Sequence, residues 1–332
     1  MTTTATTNKK RIHVPRTMAK AGLAVLQARP DVEIAMHTPG SPAPEFRAAL
    51  AEGPVAGVIL SVTPFGAAEI AAAKGLRVAS RGGVGYDAVD IPAMTKARIP
   101  VMITGTANSP SVAEQAMFMM MTLAKRGAQL DRMVRDNRWG DRYQDMPLDL
   151  IGKTLLVIGH GRIGSRTVKR GVAMEMRVLV HDPYVPAAGI RAAGAEPVAD
   201  LDQAVAAADF ISIHAPKTPA TTNLFDAKRL ARMKPTAYLV NTARGGIIDE
   251  TALHAALTTG KLAGAGLDVL LEEPPPASHP LFKLPNVVFA PHMAGVTREA
   301  FDRMAIQAAQ NVLDVLDGKP NPDNVVNKEV LG

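Results

Sequence analysis

The stretch Leu155–Pro183, LLVIGHGRIGSRTVKRGVAMEMRVLVHDP, constrains the fold of this 332-residue chain more than any other. Its apolar opening, Leu155 to Ile158, reads as a buried strand, and Gly159-His160-Gly161-Arg162-Ile163-Gly164 follows without a break. A helical pattern then runs from about Ile163 to Met174, and a second apolar run, Arg177 to Val180, ends in His181-Asp182-Pro183. In such a unit the first glycine permits the tight turn out of the strand. The second lets backbone approach a pyrophosphate, and the third allows close helix–strand packing. The helix N-terminus offers free N–H groups and a positive dipole end to the phosphates. Asp182 follows Gly164 by eighteen residues, near the spacing at which a carboxylate takes the adenosine ribose hydroxyls. A glycine-rich turn alone decides little. Here strand, glycines, helix, second strand and acid arrive in register, so a dinucleotide site is predicted rather than a plain βαβ turn.

The chain is long enough for two domains with substantial cores. Its 47% hydrophobic and 20% charged residues are ordinary for a soluble globular protein. There is no cysteine, which excludes disulfides, thiolate catalysis and cysteine-ligated metals; no metal site is expected, and a cytoplasmic location suits the composition. The N-terminus, MTTTATTNKKR, is polar and reads as a tail rather than a signal peptide. No run has the length of a transmembrane span, so no membrane partner is expected. The net charge of +6 raises the question of nucleic acid, yet the densest basic stretch, Lys125 to Arg142, is interleaved with Asp131, Asp136 and Asp141. That is a solvated helix face, and no nucleic-acid partner is expected.

After the tail, β-like runs at Ile12–Val14, Val32–Met36, Gly57–Ser61, Arg77–Ala79 and Val101–Thr104 alternate with helical stretches at Met18–Ala28, Pro44–Ala51, Phe65–Ala73 and Ile91–Ala97. Five strands alternating with four helices imply a parallel sheet covered on both faces, complete by about residue 106. Thr106–Pro110 reads as a linker. Ser111 and Glu114 have the spacing of a capping box, predicted to open one long helix to about Arg135. Its Met117–Met121 run reads as a packed helix face. Further strands are predicted at Phe210–His214, Ala237–Asn241, Ala265–Val269 and Val287–Ala290, six in all with the two around the glycine loop. Helices are predicted at Asp200–Ala208, Ala227–Met233 and Asp249–Thr258, and the amphipathic Arg298–Leu316 precedes Gly318 and Pro320.

Ligands of an open α/β sheet sit beyond the carboxyl ends of its strands. Arg244, Glu273 and His292 fall just past the last three predicted strands and should therefore share one rim. Their types suit hydride transfer on a 2-hydroxy acid. Arginine grips a carboxylate and polarises the adjacent carbonyl. Histidine exchanges the hydroxyl proton near neutral pH, and a carboxylate bound to it fixes its tautomer. A single histidine at a strand end is more often structural; three such groups on one rim point to chemistry.

The segments Asn241-Thr242-Ala243-Arg244-Gly245-Gly246-Ile247-Ile248-Asp249-Glu250, Glu273-Pro274 after Gly266-Leu267-Asp268-Val269, and Pro291-His292-Met293-Ala294-Gly295 resemble the signatures of the D-isomer-specific 2-hydroxyacid dehydrogenases. So do Ser80-Arg81-Gly82-Gly83-Val84-Gly85-Tyr86-Asp87 and His214-Ala215-Pro216-Lys217-Thr218-Pro219. The resemblance is to phosphoglycerate dehydrogenase-like members, without the regulatory domain of the longer ones. It implies Arg244 as a substrate-binding catalytic residue, His292 as acid/base and Glu273 as its partner. It further implies that the backbone of Gly83, Val84 and Gly85 holds the substrate carboxylate, with Asn108 nearby. For NAD it points to Gly159, Arg162, Ile163 and Asp182 beside Gly161 and Gly164, and to Pro216, Thr221, Thr242, Ala243 and Asp268. The implied fold is α/β with two doubly wound parallel-sheet domains: a Rossmann NAD-binding domain (107–298) and a flavodoxin-like substrate domain (1–106 plus 299–332), with a cleft between them. A homodimer is also implied. Trp139 looks like a residue that some relatives lend to the partner's pocket; a buried structural role is the other reading.

Asp182 would repel a 2′-phosphate, so NAD is expected in preference to NADP. Ser61-Val62-Thr63-Pro64-Phe65, where some relatives place a substrate-facing loop, has no cation, which disfavours a phosphorylated substrate. His214 either contacts the cofactor or simply ends its strand. The alternative of a different class is a dinucleotide-sensing, corepressor-like binding protein on the same fold. Formate dehydrogenases have glutamine in place of Glu273, and phosphite dehydrogenases a lysine in the loop Gly82-Gly83-Val84, so neither matches.

Overall fold

Short apolar runs separated by Ala-rich segments give parallel strands, and the computed structural model, which describes residues 9–144 and 146–332, contains two such sheets. The chain divides into two compact units. One comprises the residues up to Asn108 together with Val296–Gly332; the other is Ser109–Gly295.

The first unit runs β1 (Lys10–Pro15), α1 (Lys20–Gln27), β2 (Val32–His37), α2 (Ala43–Ala51), β3 (Gly57–Leu60), α3 (Ala67–Ala72), β4 (Val78–Arg81), α4 (Ile91–Lys96) and β5 (Val101–Met102). The strands pair in parallel in the order β2-β1-β3-β4-β5, the flavodoxin-like doubly wound arrangement. Alternation along β3 feeds both faces. Val58 and Leu60 join Phe46 and Leu50 of α2, whereas Ile59 joins Ile12 and Val14 on the other side.

The second unit contains α5 (Ser109–Lys125), α6 (Gly127–Arg135), β6 (Thr154–Ile158), α7 (Gly164–Ala173), β7 (Arg177–His181), α8 (Ala187–Ala192) and β8 (Glu196–Pro197). It continues with α9 (Leu201–Ala207), β9 (Phe210–Ile213), α10 (Ala227–Leu230), β10 (Tyr238–Asn241), α11 (Glu250–Thr258), β11 (Gly264–Leu267) and β12 (Val287–Phe289). The parallel order β12-β11-β10-β9-β6-β7-β8 changes direction between β6 and β9. That is the switch point at which a doubly wound sheet opens a crevice. Seven strands form, not the predicted six. The extra one, β8, is a two-residue edge strand, too short to carry a periodic signal. Leu155 and Val157 pack with Met119 and Met120 of α5 on one face, and Leu156 and Ile158 with Ile211 and Leu239 on the other. The methionine run is thus a packed helix face.

Two helix expectations need correction. The Ser111–Glu114 capping box does not form: α5 begins at Ser109, Ser111 is buried within it, and Glu114 pairs with Arg170 at 2.8 Å. Pro110, whose fixed φ suits a first helical turn, lets the helix start before Ser111. Nor is the helix continuous to Arg135, because Arg126 takes φ +53° and separates α5 from α6. Buried positions end at Ala124, and α6 has none.

The last helix, α12 (Arg298–Leu316), returns to the first unit. Thr297 caps it, its hydroxyl accepting the Ala300 N–H at 3.1 Å. Ala309, Val312, Leu313 and Leu316 pack with Ile12 and Val14; burial of each larger aliphatic side chain contributes roughly 1.5–3 kcal/mol. The approach to α1 is so close that a Cβ on Gly22 would lie 2.6 Å from the Ala305 backbone. Among the described residues no helix is long and apolar enough to cross a membrane, and no cluster of His, Cys, Asp or Glu could hold a metal ion.

Candidate active site

The glycine loop leaves β6 at the switch point. Gly159 takes φ +90°, and a Cβ there would lie 2.9 Å from the His214 carbonyl oxygen, so a side chain is excluded twice over. A Cβ on Gly164 would meet the Gly159 carbonyl oxygen at 1.9 Å, the close contact that lets α7 begin beside β6. Gly161 has nothing within 4 Å of its would-be Cβ. The N–H groups of Gly161 and Ile163 donate to no other described residue. Arg162 is exposed beside them. This is open space over unpaired donors at the start of a ten-residue helix, the arrangement an anion needs.

Asp182, just beyond β7, is half-buried and accepts the His160 N–H at 2.7 Å and the Tyr184 N–H at 2.9 Å. One carboxylate thus ties the glycine loop to the neighbouring strand end. At the end of β9, His214 Nε2 lies 2.9 Å from Ser212 Oγ, and burial lowers the ring's pKa to about 4. Burial thus favours a neutral His214 ring, and the His214 carbonyl lies against Gly159. Thr221 Oγ1 donates to the Pro216 carbonyl at 2.6 Å and accepts the Thr218 N–H at 2.7 Å, closing a turn on itself. Thr242 is buried, and its Oγ1 has no partner among the described residues. An orphaned buried hydroxyl is costly to leave unmatched. With the open glycine loop and Asp182, it makes this strand edge fit a dinucleotide.

Arg244, Glu273 and His292 follow β10, β11 and β12, three parallel neighbours, and so lie at the same edge as the glycine loop. Asn241 pins the arginine loop: its side chain donates to the Arg244 carbonyl at 2.9 Å and accepts the Ala243 N–H at 3.0 Å. The Arg244 guanidinium is half-buried, with Nη1 donating to the Ala243 carbonyl at 2.7 Å. Glu273 Oε2 lies 2.7 Å from His292 Nδ1, and Oε1 accepts the Leu270 N–H at 3.0 Å. The Glu273–Pro274 peptide is cis. Around the pair is a depression of about 440 Å³, walled by Leu270, Pro274, Phe282, Phe289 and Pro291.

Asp268 organises this rim. It is 2% exposed, and its two oxygens accept the N–H groups of Met293 and Ala294 at 2.8 and 3.0 Å, while its carbonyl accepts that of His292 at 2.7 Å. Burial pushes the carboxyl pKa up, against those two side-chain hydrogen bonds and the charge of His292. His292 itself takes φ +55°, which costs a residue with a side chain of order 1–3 kcal/mol and persists where its surroundings over-determine it. Neither the pinning by Asn241 nor this backbone anchoring is visible in residue spacing, because each acts through main-chain atoms.

In the first unit the loop after β4 is held by Arg81 Nε, which donates to the Gly85 carbonyl at 2.8 Å, and by the Thr104 N–H on the Gly83 carbonyl at 3.1 Å. The N–H groups of Gly83, Val84 and Gly85 donate to no other described residue. Asn108 is 8% exposed, and its Oδ1 has no partner among the described residues. Thr63 and Phe65 are buried, Phe65 within the core around Phe46, whereas Val62 and Pro64 between them are exposed. Trp139 is 63% exposed, which removes the core-tryptophan reading; the Arg142 guanidinium lies 5.8 Å from its ring.

Residues 117–294 match the model of the D-isomer specific 2-hydroxyacid dehydrogenase NAD binding domain. A glyoxylate reductase of Thermofilum pendens is 37% identical over 332 residues, covering 97% of this chain and 96% of the relative. A chloroplastic D-3-phosphoglycerate dehydrogenase of Arabidopsis thaliana is 38% identical over 94% of this chain, but only 49% of the relative is matched. The chain spans about half the length of the phosphoglycerate dehydrogenases it matches. Among solved structures, a D-lactate dehydrogenase of Aquifex aeolicus, complexed with NAD and lactic acid, superposes with a TM-score of 0.83 at 27% identity, covering 97% of this chain and 99% of that one.

Proposed function

This chain belongs to the D-isomer specific 2-hydroxyacid dehydrogenase family, and from that premise we propose that it interconverts a 2-oxo acid and a D-2-hydroxy acid with NAD(H). The observation that carries the reading is the Glu273–His292 pair, 2.7 Å apart at the strand edge that also bears the open glycine loop. NAD(H), when bound, supplies or takes up the hydride.

The chain's own residues do the rest. The Gly161 and Ile163 amides and the start of α7, with Arg162, would hold the pyrophosphate, and Asp182 the ribose hydroxyls. Pro216, Thr221, Thr242, Ala243 and Asp268 would line the remainder of that surface. Arg244 binds the substrate carboxylate and polarises the carbonyl. Gly83, Val84 and Gly85, whose amides are unpaired among the described residues, and Asn108, whose Oδ1 is likewise unmatched there, are further substrate-binding candidates. With Nδ1 held by Glu273, His292 presents Nε2 to the substrate oxygen and gives or takes its proton there. Glu273 fixes the tautomer and the orientation of the ring.

The full-length similarity to a glyoxylate reductase and the cation-free Ser61–Phe65 segment favour a small, unphosphorylated oxo acid. The cysteine-free chain suits the cytoplasm. A homodimer is the proposed assembly, and the exposed apolar side chains Phe118, Val134, Trp139, Tyr143 and Met146 are candidates for its interface. The test is NADH oxidation with glyoxylate, hydroxypyruvate, pyruvate and phosphohydroxypyruvate, NADPH run in parallel. Turnover of an unphosphorylated member with NADH is expected. Tight NADH binding without turnover of any member would replace the enzyme reading with a sensor.

A further inference from the structure

A second glutamate–histidine pair lies behind the first. Glu250 opens α11, where a carboxylate is favoured by the helix dipole alone. Both of its oxygens are nevertheless committed to distant residues: Oε1 accepts the Leu271 N–H at 2.6 Å, and Oε2 lies 3.0 Å from His279 Nε2. The two side chains are only 17% and 13% exposed. His279 Nδ1 is buried and has no partner among the described residues, so the ring's Nε2–H form, donating to Glu250, matches its surroundings.

The backbone segment that Glu250 grips is shared. The Leu270 N–H, one residue earlier, donates to Glu273 Oε1 at 3.0 Å. A Cβ on Gly245 would lie 1.8 Å from the Leu270 carbonyl oxygen and 2.7 Å from the Leu271 nitrogen, so the loop carrying Arg244 rests on the same segment. On the other side, the His279 ring contacts Phe282 at 5.2 Å between centroids, and Phe282 meets Phe289 edge-on at 5.1 Å, three residues before His292. The backbone at Leu270 and Leu271, two consecutive peptides, is thus the common support of Arg244 and Glu273, and the Glu250–His279 pair holds it against α11.

We propose that Glu250, braced by His279, is a positioning residue for the Glu273–His292 pair, acting through the backbone of Leu270 and Leu271. This rests on the reading of that pair as the proton-transfer site. Misplacement of a reacting group by about 1 Å can cost on the order of a hundredfold in rate, and loss of a partner supporting a histidine typically costs roughly 10- to 100-fold.

The experiment compares Glu250→Ala, Glu250→Gln and His279→Leu. Glu250→Gln keeps an acceptor for the Leu271 N–H, and His279→Leu keeps apolar contact with Phe282. In apo protein, the downfield imidazole N–H proton of His292, assigned by its absence in His292→Asn, is followed by NMR. In Glu250→Ala and His279→Leu it is expected to shift upfield or broaden, with NADH affinity within about twofold of wild type and kcat/KM for the oxo acid down roughly 10- to 100-fold. Glu250→Gln is expected to recover most of both readouts. An unmoved His292 resonance in folded Glu250→Ala and His279→Leu would overturn the proposal, whatever the activity. If no oxo acid is turned over by wild type, the function reading fails alone, and the resonance still decides the coupling.

Discussion

Glu273 Oε2 lies 2.7 Å from His292 Nδ1 while its Oε1 accepts the Leu270 N–H at 3.0 Å, so one carboxylate orients the imidazole and anchors its own loop. Glu273→Gln keeps an oxygen for one of these contacts and loses the charge. It should lower kcat roughly 10- to 100-fold and leave NADH affinity unchanged. Steady-state kinetics with NADH titration checks this; an unchanged kcat would show that Glu273 only anchors the loop.

Asp268→Asn replaces one acceptor with an amide NH2 that faces a backbone N–H of Met293 or Ala294. A buried donor without a partner costs about 1–3 kcal/mol. The variant should therefore unfold at a lower temperature and lose turnover through a loosened His292. Retained stability and rate would contradict this account of the rim.

Gly245 and Gly161 should respond oppositely to alanine. A Cβ on Gly245 would lie 1.8 Å from a carbonyl oxygen, and nothing lies within 4 Å of one on Gly161. Gly245→Ala should cost at least about 1–3 kcal/mol from overpacking. Gly161→Ala should unfold at the wild-type temperature but bind NADH at least about tenfold more weakly, since the space it fills is where backbone would meet phosphate. Thermal melts and NADH titration separate the two.

His13 and His37, 1% and 4% exposed, have no hydrogen-bond partner at any ring nitrogen among the described residues. Burial first, then the charge of Arg11 for His13 and of His13 for His37, lowers both to about 4 from an ordinary 6.5. Between those values the unfolded chain binds protons that the folded chain refuses, so stability falls as pH drops through that window. Each ring contributes a slope of about 1.4 kcal/mol per pH unit there. His13→Leu should flatten the urea-unfolding profile between about pH 6 and pH 5 and change little at neutral pH. An unaltered slope would show that the buried ring is not what titrates.

Much of the fold was legible because period and punctuation carry it. The strand runs beginning at Ile12, Gly57, Leu155 and Phe210 each became parallel strands, and Arg244, Glu273 and His292 fell past three neighbouring strand ends. What was illegible acts through backbone or through very short elements. β8 has two residues and no period. The start of α5 depended on Pro110 rather than on the more conspicuous Ser111 and Glu114. The grip of Asp268 on Met293 and Ala294, and that of Glu250 on Leu271, join residues more than twenty positions apart through main-chain N–H groups. Residue types do not announce such bonds.

The central claim is that His292, oriented by Glu273, exchanges the substrate proton. Its most direct test is NADH oxidation by wild type and His292→Asn with the best oxo acid, beside the NADH affinity of both proteins. Turnover by wild type, its near-complete loss in the variant and equal NADH binding are the predicted result. Equal rates in the two proteins would contradict the claim.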